Sequence, residues 1–306
     1  MASNSTFTPT SLTITSKIPQ NDSMVTPGPN REHNIVLIII YTLVLLIGGT
    51  SLTLTILIMK LRTTSTTSIA VLNLVFAHFL FLLTVPFRIY YYATQQWSLG
   101  LGWCKVVSSM IHIHMYMSFT FYVVILVTRL LAFYGRHGPM ASPPRIYALA
   151  ASVVVWILMS VCVICIICLV YGKNTDSDSQ AHCFRFGKKI DSNAKVINYI
   201  ISTLFITVTI VLCGLQVNVL WVLYRKHHQL CTSQQDFGAQ LKSLCFVIIM
   251  VVCFIPYHIF RFYYVENIKL QDLNELFLSL TTFNCMDMLT LLGRRTCSLC
   301  LPGRAI

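Results

Sequence analysis

One apolar run of the chain holds most of the side chains that could do chemistry. Between Cys104 and Tyr134 the sequence CKVVSSMIHIHMYMSFTFYVVILVTRLLAFY carries His112, His114, Tyr116, Ser118, Thr120 and Tyr122, with Arg129 near its end. Imidazoles, phenols and hydroxyls exchange hydrogen bonds and protons, but the partners that catalysis needs are missing. There is no glycine-rich phosphate loop, no His-Glu-x-x-His, and no pair of aspartates on different apolar runs that could share a proton. Asp287 is the only acid well inside such a run. The remaining chemistry is recognition, so no enzyme is expected. Arg88 and Arg261 supply guanidinium forks, which suit carboxylate or phosphate groups.

These residues need elements that hold them in lipid. Of 306 residues, 56% are hydrophobic and only 10% charged, with a mean hydropathy of +0.70. A soluble domain carries about 25% charge, so a membrane protein is expected. From Cys104 to Arg129 a helix would run roughly 37 Å, enough to cross a hydrocarbon core of about 30 Å at a tilt. Its polar residues are too many for lipid on every side, so other helices must cover it. The apolar runs predict an all-α bundle of seven transmembrane helices at about 35–59, 69–92, 104–134, 146–170, 196–224, 241–264 and 274–292. Residues 1–34 read as a polar, disordered tail with glycosylation triplets at Asn4 and Asn21, and 294–306 as a short tail. Pro256 removes a backbone hydrogen bond and predicts a kink in the sixth helix. One turn beyond it Tyr257, His258 and Arg261 share one side of the helix.

Seven spans put the termini on opposite sides. With the N-terminus outside, the inner segments hold Lys60, Arg62, Arg129, Arg136, Arg145, Arg225, Lys226, Lys242, Arg294, Arg295 and Arg304 against one acid, Asp236. The net charge of +12 is therefore read as membrane topology and not as nucleic-acid binding. No repeated half and no charged path suggest a transporter or channel. Cys162, Cys165 and Cys168 lie in an apolar helix, where cysteine packs as a small hydrophobe, so no metal site and no cofactor are expected. Cys297 and Cys300, beside Arg294 and Arg295, are either palmitoylated or plain thiols.

Trp97 with Gly100, Cys104 with Cys183, Arg129, Trp156 and the string Cys253-Phe254-Ile255-Pro256-Tyr257-His258-Ile259-Phe260-Arg261 together resemble the rhodopsin-like G-protein-coupled receptors. The last string is similar to the branch with nucleotide, lipid and protease-activated receptors. The resemblance implies a multi-pass protein of the plasma membrane, with an extracellular N-terminus and a cytoplasmic C-terminus. It also implies a Cys104–Cys183 disulfide, a heterotrimeric G protein as partner at Arg129, and a sixth helix that swings about Pro256. Phe254 stands where many members carry tryptophan. Arg88 and Arg261 either snorkel to headgroups of the membrane lipids or turn inward. Two of them, with Lys105, Arg185, Lys188 and Lys189 near in sequence, favour an inward cationic vestibule. The expected ligand is thus an extracellular anionic small molecule or lipid, touching Arg88, Tyr91, His112, Tyr116, Arg185, Tyr257, His258 and Arg261.

The departures from the family pattern weaken its switch. Thr128-Arg129-Leu130 replaces Asp-Arg-Tyr, and a neutral threonine cannot hold the arginine by charge, which predicts a loosened resting state. His78 replaces the usual aspartate, putting the family's sodium site in doubt. It is expected as a neutral buried histidine satisfied by Asp287, Ser118 or water. Asp287-Met288-Leu289-Thr290-Leu291 keeps the acid of the seventh-helix motif and loses its proline and tyrosine. The alternative is a receptor-shaped scavenger or heteromer partner that binds without signalling. A coupling receptor with a loosened lock gives agonist-free G-protein dissociation in cells that vanishes in Arg129→Ala at matched surface expression; silence in both removes the loosened lock.

Overall fold

The computed structural model describes residues 29–59, 66–135, 145–165, 183–184, 192–227 and 234–289. They form an all-helical bundle of seven spans. The first span is α1 (Pro29–Leu43), one π turn (Val44–Gly48) and α2 (Gly49–Met59). The next four are α3 (Thr66–Thr94), α4 (Gly100–Tyr134), α5 (Arg145–Cys165) and α6 (Ser192–His227). The sixth is α7 (Gln234–Ile249), a π turn (Met250–Phe254) and α8 (Ile255–Glu266); the seventh is α9 (Gln271–Thr281) followed by a 3₁₀ stretch (Thr282–Met286). Among the described residues five helices are long and apolar enough to cross a membrane, and Leu149–Cys165 is a shorter apolar helix. Asn4, Asn21, Arg185, Cys297 and Cys300 lie outside the described residues.

The helices start and stop where local chemistry allows. The first begins at Pro29, six residues inside the stretch expected as a tail, because proline's fixed φ suits a first turn. The third begins at Gly100, whose φ of +81° is open to glycine and strained for other residues. Trp97 donates its indole N–H to the Gly100 carbonyl at 2.8 Å, closing that turn. In the sixth span Pro256 has no N–H to give, and a π turn over Met250–Phe254 takes up the mismatch. The seventh span has no proline among its described residues and tightens by another route. Ser279, Thr281 and Thr282 each donate a hydroxyl to the carbonyl three residues back, competing with the ordinary ladder where the 3₁₀ stretch begins.

Packing places α4 at the centre. It touches α3, α5, α6 and α7 and the 3₁₀ stretch of the seventh span, while α1 closes the ring against α3 and α9. Ile111, Met115, Tyr122 and Ile125 of α4 are fully buried, whereas Ile200, Ile210 and Val252 on the perimeter are about 60% exposed, an apolar surface suited to lipid. Trp156 of α5 docks on α3 through its indole N–H to Asn73 Oδ1 at 3.1 Å, and Asn73 donates to Ser152 at 3.0 Å. Cys104 and Cys183 are disulfide-bonded, fixing residues 183–184 over the start of α4.

Gly48 lies at a close approach of the first span to the second and seventh. A Cβ there would meet Leu82 Cδ2 at 3.3 Å and Cys285 Cβ at 3.4 Å, while one at Gly49 would meet nothing within 4 Å. Gly48→Leu should therefore lower stability by about 1–3 kcal/mol, the usual cost of overpacking, and Gly49→Leu should leave it nearly unchanged. Thermal unfolding of the two purified variants in detergent checks the difference.

Candidate functional site

Polar groups gather at three depths of the bundle. At the end that carries the disulfide, Arg88 on α3 is 1% exposed and turned inward. It donates through Nη2 to the Val107 carbonyl at 3.2 Å and through Nη1 to Tyr41 Oη at 3.4 Å. Its guanidinium lies 4.4 Å from the centroid of Phe184 and 4.0 Å from Glu275 Oε2. Tyr92 donates to that same oxygen at 3.2 Å. Phe184 adopts φ +68° because the disulfide holds its neighbour and Tyr91, Tyr92 and Trp97 enclose its ring. Gln271 donates to its carbonyl at 3.0 Å.

Arg261 on α8 faces the same end. Asn198 of α6 and Asn274 of α9 accept from its Nε and Nη1 at 2.9 and 3.0 Å. His258, one turn nearer the bundle centre, shares a hydrogen bond with Ser202 at 3.2 Å and packs its ring 4.2 Å from Phe205. Tyr257 lies on the same stretch, and Tyr116 meets Phe205 edge-on at 5.6 Å. Arg88 lies 4.0 Å from Glu275 and Arg261 is bonded to Asn274, the residue before it, which places the two cations around one region. Neither arginine snorkels outward. An unpaired charge buried this way would cost several kcal/mol, which is why tyrosines, amides and a carboxylate surround them.

At the centre Asp287 is fully buried. His78 Nε2 lies 3.1 Å from its Oδ1, and Tyr122 donates to Oδ2 at 2.6 Å and to the Asn284 carbonyl at 3.2 Å. His78 Nδ1 is 2.7 Å from His114 Nε2, and Cys285 Sγ is 3.5 Å from each of those nitrogens. The His114 ring also stacks on Phe81 at 4.3 Å. His78 thus meets Asp287, one of the partners expected for it. Rings connect this centre to the outer end: Phe205 stacks on Phe119 at 3.8 Å, Phe254 meets both edge-on, and Phe254 reaches Tyr122 at 6.2 Å.

At the inner end Arg129 of α4 donates to Ser243 of α7 at 3.0 Å and lies 5.6 Å from the Phe246 centroid. Thr128 donates its hydroxyl to the carbonyls of Val124 and Ile125. Gln216 of α6 joins Gln240 of α7 at 2.9 Å. The restraint on the arginine therefore comes across the bundle and not from its sequence neighbour.

Several of these partners escaped the sequence. His114 and Tyr122, with Ser118 between them, recur at intervals of four, a one-face signal that could have found both as neighbours of His78 and Asp287. Glu275 lies at the edge of an apolar run, and Tyr41, Phe184, Asn198, Asn274, Ser243 and Cys285 carry no signal, since their partners lie 13 to 207 residues away.

A seven-helix bundle with a polar cluster beside a disulfide at one end and an arginine clasp at the other is the architecture of a transmembrane receptor. Residues 49–288 match the 7 transmembrane receptor (rhodopsin family), and the chain belongs to that family. It is 40% identical to the human protein called Probable G-protein coupled receptor 141, with 90% of each chain covered. It is 26% identical to Probable G-protein coupled receptor 34 of Pan troglodytes, over 88% of this chain and 76% of that one. With human Probable G-protein coupled receptor 174 it shares 27% identity, over 79% and 74%. The protein is therefore a receptor of the G-protein-coupled class, not an enzyme, and a multi-pass membrane protein.

Ser243→Ala removes a hydrogen bond to a charged group, worth about 1.5–3 kcal/mol, from the contact between α4 and α7. Basal G-protein dissociation should rise several-fold in this variant at matched surface expression, and Ser243→Ala combined with Arg129→Ala should return to background.

Proposed function

We propose that this receptor sits in the plasma membrane and binds an extracellular anionic ligand, a lipid acid or a nucleotide-like molecule, in the outer half of its bundle. The observation that carries this reading is the buried guanidinium of Arg88. Its Nε–H has no hydrogen-bond partner among the described residues, and neither has His258 Nε2 across the same end. An unsatisfied donor on a buried charge is costly, so a carboxylate or phosphate that takes it up gains a charge-assisted bond already desolvated. Arg261, oriented by two amide oxygens, offers a second fork. Tyr91, Tyr116 and Tyr257 border the region with aromatic faces suited to an acyl chain or a base.

The signal would pass inward by packing. A ligand that draws Arg261 and His258 toward Arg88 pulls on α8, which lies just beyond the π turn and Pro256. Phe205, Phe119 and Phe254 then repack against Tyr122, and α7 moves relative to α4, releasing Arg129 from Ser243 for the G protein.

Cells bearing the receptor at matched surface expression are exposed to lipid acids, lipid phosphates and nucleotides, each beside its neutral ester or nucleoside. Activation by an anion and not by its neutral counterpart is expected, with potency falling at least about tenfold in Arg88→Ala and in Arg261→Ala, the loss of one charge-assisted bond. Unchanged potency in both variants sinks the anionic pocket. Saturable binding without G-protein dissociation sinks the signalling part and leaves a scavenger.

A further inference from the structure

The centre of the bundle gathers three metal-ligating side chains from three different spans. His78 of the second, His114 of the third and Cys285 of the seventh are all buried, and their ligand atoms lie within 4.8 Å of one another. We propose that His78 Nδ1, His114 Nε2 and Cys285 Sγ form a zinc(II) site that joins these three spans.

The distances suit the ion. Zinc bonds of about 2.0–2.1 Å to nitrogen and 2.3 Å to sulfur place tetrahedral ligands about 3.3 Å apart for two nitrogens and about 3.6 Å apart for nitrogen and sulfur. Both nitrogen–sulfur separations here are 3.5 Å, and the two nitrogens, now at hydrogen-bond distance of 2.7 Å, need to part by only about 0.6 Å on that geometry.

The surroundings suit it independently. A zinc-bound imidazole ordinarily gives its other N–H to a carboxylate, and His78 turns Nε2 to Asp287 at 3.1 Å, with Tyr122 holding the far carboxylate oxygen. Ser118 follows His114 by one turn on the same face of α4, and its buried Oγ has no hydrogen-bond partner among the described residues; it is an oxygen available to the fourth position. His114 Nδ1 is likewise buried without a partner among them. On binding, the hydrogen shared between the imidazoles moves to His114 Nδ1, freeing both ligand nitrogens. The Cys285 thiol gives its proton to solvent and bonds the metal as thiolate, so one proton leaves per zinc. The two positive charges of the ion then face one thiolate and one carboxylate, leaving the buried cluster neutral. Sodium, magnesium and calcium prefer oxygen ligands and fit this nitrogen and sulfur set poorly.

The test uses the full chain, purified in detergent after chelation, with zinc or its spectroscopic substitute cobalt(II) as the probe. One equivalent of cobalt should give tetrahedral visible bands and a near-ultraviolet sulfur-to-metal charge-transfer band. Zinc should displace it with no further proton release, whereas zinc added to the metal-free chain should release one proton and raise the melting temperature. Cys285→Ser should lose the charge-transfer band, His114→Gln should lose the tetrahedral visible bands, and both should lose the zinc-dependent rise. Asp287→Asn, which touches no metal, should keep both sets of bands with zinc affinity lowered about ten- to a hundredfold. Absence of a charge-transfer band from the native chain, or its persistence in Cys285→Ser, overturns the site, as does an equal thermal shift in all variants. None of these readouts depends on the ligand or the G protein, so failure here leaves the anionic pocket standing.

Discussion

A single carboxylate deep in the bundle governs how its helices fit together. Asp287 is fully buried, and a buried charge must be met by groups brought to it. His78 comes from the second span and the Tyr122 hydroxyl from the third, each within 3.1 Å of a carboxylate oxygen. Both contacts hold only if three helices keep one depth relative to one another, so the need to compensate one charge fixes their register. Removing a partner from such a pair typically costs about 3–5 kcal/mol. Gly48 reinforces the arrangement, since its missing side chain lets the first span approach Leu82 and Cys285.

From that fixed centre the two ends are built differently. The outer end is stapled: a disulfide, the ring of Phe184 among three aromatic neighbours, and the Gln271 bond hold residues 183–184 over the helices. Its arginines sit beside this covalent and aromatic scaffold, Arg88 against the ring of Phe184 itself. At the inner end the described contacts between α4 or α6 and α7 include neutral hydrogen bonds from Gln216 and a bond from Arg129 to a serine hydroxyl. Contacts of this kind are worth about 1–3 kcal/mol apiece and can be exchanged for contacts with a partner. The π turn and Pro256 lie between the two ends, where a widened helix can bend without breaking further hydrogen bonds.

The family's usual switch residues are largely replaced, yet their places are still occupied by groups that can do related work. Threonine at position 128 spends its hydroxyl on its own helix, and the arginine beside it finds Ser243. Proline is missing from the described part of the seventh span, and three hydroxyls tighten it instead. Histidine replaces the acid of the second span, and the remaining acid of the seventh meets it directly. Each exchange preserves a contact while changing the groups that make it.

The sequence by itself determined the membrane class, the bundle and the family, because apolar runs long enough to cross lipid leave few other ways to satisfy a backbone. It also singled out Arg88, Arg261, His78 and Asp287, since polar groups in such runs are rare. Only the tertiary structure decided what these groups meet. Glu275 near Arg88, Asn198 and Asn274 on Arg261, and Cys285 beside two histidines are ordinary residues at unremarkable positions, separated from their partners by stretches with no periodic relation. Hydropathy follows from summing along the chain, whereas a hydrogen bond or a ligand set depends on the rotation and depth of each helix, and those are fixed by packing between helices.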